Sequence, residues 1–379
     1  MKHKVFCLLL LVAGCALLGF SCLKLASVPQ NAEFTALMPT AGADAGSATA
    51  GQQLLSYGEK AAENSGLQVS VEAIADGISL TGSLSRTATV TVYGIGPGWF
   101  DTHHRTLLDG RTLGEEELSG TDAVMVVDQG LMFALFGENT FREETISLNG
   151  MSFLIVGMVD HGAQPGQTDS YAVYLPIRAA EKAGITFDTG TLTAQAATLA
   201  DSLFFQNACT AAWTADGTLY YLRKQAMGQT MPTRYLLVLA AIAVLCRLFG
   251  LIRKWITALW QRLKERRSHV YAGRMLLPGA GFALLCVVLA GAWLAGCYLV
   301  INLAVEPVYT FTEWVPDNPA SLSSILSVFD AQKSTYSQRI TFSTPTMGYL
   351  RYYGSLNAAG GVLCLLAGAW HTLFKRKKA

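Results

Sequence analysis

Thr145-Ile146-Ser147-Leu148-Asn149-Gly150-Met151-Ser152-Phe153-Leu154-Ile155-Val156 reads as two short strands joined by a two-residue turn. Asn-Gly enters the left-handed backbone conformations that a tight hairpin needs, and alternating runs flank it. Strand signals continue on both sides. Val69–Ala73 alternates, and so does the β-branched run Ala88–Tyr93, which ends at Gly94. Asp122–Val127 reads as a buried strand, and Gln129–Phe136 as a short helix closed by Gly137. Tyr171–Leu175 is a further strand before Pro176, and Leu54 to about Ser65 is helix-like. Gln30 to about Gln52, rich in Ala, Gly, Ser and Thr, reads as a linker or mobile loop. The result is an α+β domain of about 200 residues, long enough for a core.

Four apolar runs surround this domain: Val5 to about Leu25, Tyr235 to about Ile252, Ala280 to about Val305, and about Ala358 to Phe374. Each approaches the roughly 20 residues that cross a bilayer. Only 15% of the chain is charged, and the charge is partitioned. Lys2 and Lys4 precede the first run. Eight bases against Glu265 occupy Arg247–Arg274, and Lys375, Arg376, Lys377 and Lys378 close the chain. Lys24–Arg234 holds 22 acids and 11 bases, and Glu306–Arg351 four acids and three bases. Four crossings put every basic segment on one side, which is the cytoplasm by the positive-inside rule. The expected organisation is a cytoplasmic N-terminus over 1–4, membrane helices over 5–25, 234–252, 279–305 and 357–374, and an extracytoplasmic domain over 26–233. A basic amphipathic cytoplasmic loop occupies 253–278, an outer loop 306–356 and a basic cytoplasmic tail 375–379. Val12-Ala13-Gly14-Cys15 has the shape of a lipoprotein processing site, but the run stays apolar past Cys15, which favours an uncleaved anchor. Gly360, Gly361 and Gly368 suit close helix packing in the fourth span.

The series Val90–Phe100, Leu108-Asp109-Gly110-Arg111, Ala123–Val127, Leu135-Phe136-Gly137, Ile146–Gly150 and Phe153–Val159, continued by Tyr174-Leu175-Pro176, resembles the MacB-like periplasmic core domain. The resemblance is good over roughly Lys60 to Ile177 and loose beyond. It implies a permease subunit of a MacB/FtsX-like ABC transporter in a bacterial cell membrane. Such a subunit transmits motion from a separate ABC ATPase subunit to its outer domain. It also implies a homodimer or a heterodimer with a related permease. ATP would be bound by the partner ATPase, and no cofactor is expected on this chain. The lipid bilayer is an expected partner and nucleic acid is not. The acidic-Ile-Gly motif usual in the family's cytoplasmic loop is absent from Arg262–Arg274, and the outer loop is long for the family. A non-transporting binding or sensory protein that keeps the core domain is the alternative.

Trp255, Ile256, Leu259, Trp260 and Leu263 fall on one face of an amphipathic helix. They are the candidate ATPase-coupling segment, with an interfacial membrane anchor as the equal alternative. No Gly-x-x-x-x-Gly-Lys-Ser/Thr occurs, so the chain has no P-loop and is not expected to be an enzyme. Gly94–Gly98 reads as a turn, because Pro97 interrupts any dinucleotide fingerprint. Asp101, His103 and His104 read as a solvated loop rather than a metal site. Glu115-Glu116-Glu117 reads as a solvated face or helix start, and Cys209 alone among the eight cysteines lies in the domain. No catalytic, cofactor-binding or metal-binding residue is expected.

Overall fold

A computed structural model describes residues 2–39, 48–82, 86–137, 140–160, 171–213, 217–267, 272–311, 314–318, 320–341 and 344–376. The chain runs α1 Lys2–Ala26, β1 Asn31–Leu37, α2 Ala50–Ser65, β2 Val69–Gly82, β3 Thr87–Ile95, α3 Trp99–His103, β4 Leu107–Gly110 and α4 Glu115–Ser119. It continues with β5 Val124–Asp128, α5 Gln129–Phe136, β6 Thr145–Leu148, β7 Met151–Val159, β8 Tyr171–Pro176, α6 Ile177–Lys182, β9 Thr189–Gln195, α7 Leu199–Ala212, β10 Thr218–Tyr221 and α8 Leu222–Gln229. The remaining helices are α9 Met231–Arg267, α10 Ala272–Thr310, α11 Leu322–Thr341 and α12 Pro345–Arg376.

Two compact units result. Leu23–Gly228 with Tyr336–Tyr353 forms the α+β unit, and Met1–Cys22, Gln229–Thr335 and Gly354–Ala379 form the helical one. In the α+β unit the strand order is β10-β1-β9-β2-β3-β8-β5-β7-β4, with β6 pairing both β2 and β7. Strands β2, β3, β8, β5, β7 and β6 therefore pair in succession back to β2 and close a ring. The hairpin β6–β7 forms as expected, with Asn149 and Gly150 at φ 48° and 82°. These are the two left-handed residues of a type I′ turn. Helix α5 also forms as read, with the Asp128 side chain accepting from Leu131 N and Gly137 closing it at φ 78°.

The expected linker contains a strand. Asn31–Leu37 is β1, paired on both sides with β9 and β10. Its alternation of Asn31, Glu33 and Thr35 with Ala32, Phe34 and Ala36 has the period of two that a strand requires. Helix α2 starts at Ala50 because Thr49 and Gln52 form a reciprocal capping box. The apolar side of β1, β9 and β2 (Phe34, Leu192, Val71) belongs to a core that also takes Leu54 and Ala61 of α2 and Phe205 and Cys209 of α7.

In the helical unit, Val5–Ala26, Met231–Glu265 and Pro278–Glu306 are long and apolar enough to cross a membrane. Helix α12, whose apolar stretch begins at Ala358, accompanies them. A Cβ on Gly14 would lie 3.0 Å from Gly360 O, so these glycines let α1 and α12 approach backbone to backbone. Asn357 donates from Nδ2 to Ser21 Oγ (3.0 Å) and accepts at Oδ1 from Thr233 (2.9 Å), tying α1, α9 and α12 together. Helix α9 packs on α10, where Trp293 Nε1 donates to Leu245 O at 3.4 Å. The segment 306–356, expected to be an outer loop, contains α11, and α12 begins at Pro345 rather than near 357.

Candidate functional site

Strand pairing carries the polar side of β1 straight across the sheet. Thr35 pairs with Thr191, Thr191 with Glu72, and Glu72 with Ile95; one step along, Glu33 pairs with Thr193. Directly paired residues share a face. Glu33, Thr35, Ser70, Glu72, Thr191 and Thr193 therefore form one polar patch, and all six are buried. A polar face on an antiparallel sheet normally meets water. Here helix α3 and the segment at Thr344 contact it instead.

The contacts are specific. Trp99 Nε1 donates to Glu72 Oε2 at 2.7 Å. One turn on, His103 stacks on Trp99 with ring centroids 4.4 Å apart and 16° between planes. His103 Nδ1 lies 3.1 Å from Trp99 O, and Nε2 lies 3.8 Å from Glu72 Oε2. Asn31 Nδ2 donates to Thr102 O at 3.1 Å, joining β1 to α3. Thr344 Oγ1 donates to Glu33 Oε2 at 2.7 Å and accepts from Met347 N at 3.3 Å. Thr344 thus caps the start of α12 while it holds the sheet. Thr193 Oγ1 is buried with no hydrogen-bond partner among the described residues. Beside it lies a small cavity of about 20 Å³ lined by Glu33, Glu72, His103, Thr193 and Thr344. That is room for about one water, with polar groups on several sides to hold it.

Burial pushes Glu72 up to about 7; the charge of Glu33 adds to the rise, while the Trp99 N–H and Arg105 oppose it. Burial likewise raises Glu33, against hydrogen bonds from Thr344 and Thr346. His103 is lowered to about 3, again chiefly by burial, with Arg105 nearby. The short His103–Glu72 distance is therefore not an ion pair: His103 is neutral. Its Nδ1–H points at the Trp99 carbonyl, which leaves Nε2 as a lone pair facing Glu72 and favours a protonated carboxyl there. No group of three or more His, Cys, Asp or Glu suited to a metal occurs among the described residues. The site can bind and release protons and can fasten the first turn of α12 to β1.

Apart from His103, these residues were not singled out by sequence, and the reading of His103 is corrected. His103 is not in a solvated loop: it is the last residue of α3 and is half-buried, whereas His104 caps that helix at φ 48°. Glu115–Glu117 does start a helix, α4, with Glu117 paired to Arg111 at 2.6 Å. The candidate coupling segment lies on α9, which continues without a break from the membrane span. Ile256, Leu259 and Leu263 are half-buried, whereas Trp255 and Trp260 are 70% and 58% exposed. Trp260 reaches Phe282 of α10, with ring centroids 5.7 Å apart.

Residues 27–203 match the sequence family described as the MacB-like periplasmic core domain. Among characterised relatives, the macrolide export ATP-binding/permease protein MacB of Pasteurella multocida is 28% identical over 93 residues, covering 24% of this chain and 14% of the relative. The protein of the same name from Aggregatibacter actinomycetemcomitans is 31% identical over 103 residues, covering 26% and 16%. The matched stretch is thus a small part of those relatives' length. Among solved structures, the periplasmic region of MacB from Actinobacillus actinomycetemcomitans aligns over 53% of this chain and 92% of its own, at 18% identity and a TM-score of 0.41. The extracellular domain of the noncanonic ABC-type transporter YknZ from Gram-positive bacteria aligns over 50% and 97%, at 12% identity and a TM-score of 0.38. With apolar helices on both sides of residues 27–203, the chain is a membrane protein whose extracytoplasmic part is a MacB-like periplasmic core domain.

Proposed function

We propose that this chain is a permease-type subunit of a MacB/FtsX-like ABC system. A separate ATPase dimer binds and hydrolyses ATP, the membrane helices respond, and the outer domain changes shape. Both termini and the basic segment around Trp255–Leu263 face the cytoplasm, and a second permease chain completes the membrane part. The observation that carries this reading is the Thr344–Glu33 bond, 2.7 Å long, at the start of α12. Strand β1 follows α1 after four residues, and β10, its neighbour in the sheet, leads through α8 into α9. The same two strands are thus linked to α1, α9 and α12, so displacement of those helices is delivered to one edge of the sheet.

The test is co-expression with a candidate ABC ATPase, co-purification, and ATP turnover with and without the chain in lipid nanodiscs. A stable complex whose turnover changes is expected. A Thr344→Val variant should keep the complex but alter the turnover response. Absence of any complex and an unchanged turnover would overturn the transporter reading and favour the binding or sensory alternative, which the missing loop motif supports. Cysteine labelling within Glu306–Arg351 of intact cells checks the orientation, and labelling only after lysis would overturn it.

A further inference from the structure

A second concave feature of the α+β unit lies away from the buried junction. One face of α2, carrying Leu55 and Ser56, forms a wall of a half-open cleft of about 360 Å³ over Val69 and Val71 of β2. Small-molecule sites are commonly about 300–1,000 Å³, with apolar walls and a few placed polar groups. Arg178 of α6 supplies such a group. Its Nη1 donates to Ser119 O at 2.8 Å, which fixes the plane of the guanidinium. Its Nε is buried and has no hydrogen-bond partner among the described residues. Nε and Nη2 form one edge of the guanidinium, and that edge receives a carboxylate or phosphate through two parallel bonds. A buried donor left unpaired is costly, and an anionic group removes the cost. Glu59, the acid in the lining, is exposed, so it disfavours an anion at its own side of the cleft.

We infer that the α2–β2 cleft binds a small amphiphile, with its carboxylate or phosphate on Arg178 and its apolar body against Leu55, Val69 and Val71. The inference stands whether or not the chain couples to an ATPase.

The test uses the full chain in lipid nanodiscs, titrated with 4-phenylbutyrate, 4-phenylbutyl phosphate and the neutral 4-phenylbutanol. Saturation-transfer NMR reads binding, with empty nanodiscs as the reference. Either anion is expected to bind about tenfold or more tighter than the alcohol, given the strength of a bidentate charged pair. Whichever anion binds tighter identifies the headgroup. Arg178→Met should abolish the preference for the anion, and Ser56→Trp, which fills the cleft from α2, should abolish binding of all three. Equal binding of anion and alcohol to the native chain, or a preference that survives in Arg178→Met, would overturn the inference. If Arg178→Met fails to fold, the native comparison and Ser56→Trp decide it.

Discussion

One face of the sheet has two ends of opposite character. On β8 and β5, Ala172, Tyr174 and Val126 pack with Leu113, Leu118 and Val156 in an ordinary apolar cluster. On β2, β9 and β1 the same face is Glu72, Thr191, Thr193 and Glu33, just as buried. Trp99 spans the boundary: its ring centroid lies 5.0 Å from that of Tyr174, and its N–H reaches Glu72. The apolar end is held by non-directional burial and tolerates small shifts. The polar end is held by a few directional bonds, each costly to leave unmade.

The largest expected effect is at the boundary. Trp99→Ala removes a fully buried ring and the donor to Glu72, and should cost about 3–5 kcal/mol. Faster amide exchange in both β2 and β8 would report it. Loss confined to β8 would mean that Trp99 does not serve the polar end. Next, Thr344→Val deprives Glu33 of a hydroxyl donor and should cost about 1–3 kcal/mol. Exchange should rise in β1 and β9 while β5 and β7 stay protected. Uniform change across the sheet would erase the distinction between the ends.

The pH dependence sharpens it further. Glu72 rises from 4.5 to about 7 on folding, so the folded chain holds the extra proton. That contribution is complete below 4.5 and lost as pH climbs to about 7. His103 falls from 6.5 to about 3, so the unfolded chain holds the extra proton. Its contribution is complete above 6.5 and lost as pH drops to about 3. Between 4.5 and 6.5 the Glu72 and His103 slopes oppose, and the raised Glu33 carboxyl adds a falling one, so the native chain should lose stability gently as pH rises. Relative to the native profile, Glu72→Gln should tilt stability toward rising with pH and His103→Gln toward falling, each by up to about 1.4 kcal/mol per unit. Parallel profiles for the two variants would contradict the neutral-histidine assignment. The smallest effect is at the hairpin beside the apolar end. Asn149→Ala strains a left-handed residue by about 1 kcal/mol, and Asn149→Gly should restore stability. A thermal melt of both variants checks it.

The sequence showed the hairpin, α5 and its caps, the strand alternation and the apolar helices, because each is a local pattern. It concealed β1. Ala and Thr surround that strand, and only pairing with β9, which lies far along the chain, makes it one. The polar site was hidden for the same reason. Glu33, Glu72 and Thr193 occupy alternate strand positions that ordinarily face solvent. What covers them is α3 and Thr344, and the latter lies 311 residues from Glu33. His103 was misjudged because its neighbours Asp101 and His104 are polar, whereas its stacking partner Trp99 is one helical turn away.

The separation between Glu33 and Thr344 also orders biogenesis. Strand β1 emerges early and must wait for β9 and β10 before its two edges are paired, the slow kind of contact in folding. Its buried acid waits longer still, until α9 and α10 have been synthesised and Thr344 has followed them. A chain stalled or truncated before that residue leaves the Glu33 carboxyl without its Thr344 donor, so the polar end of the sheet is the last part of the domain to be completed.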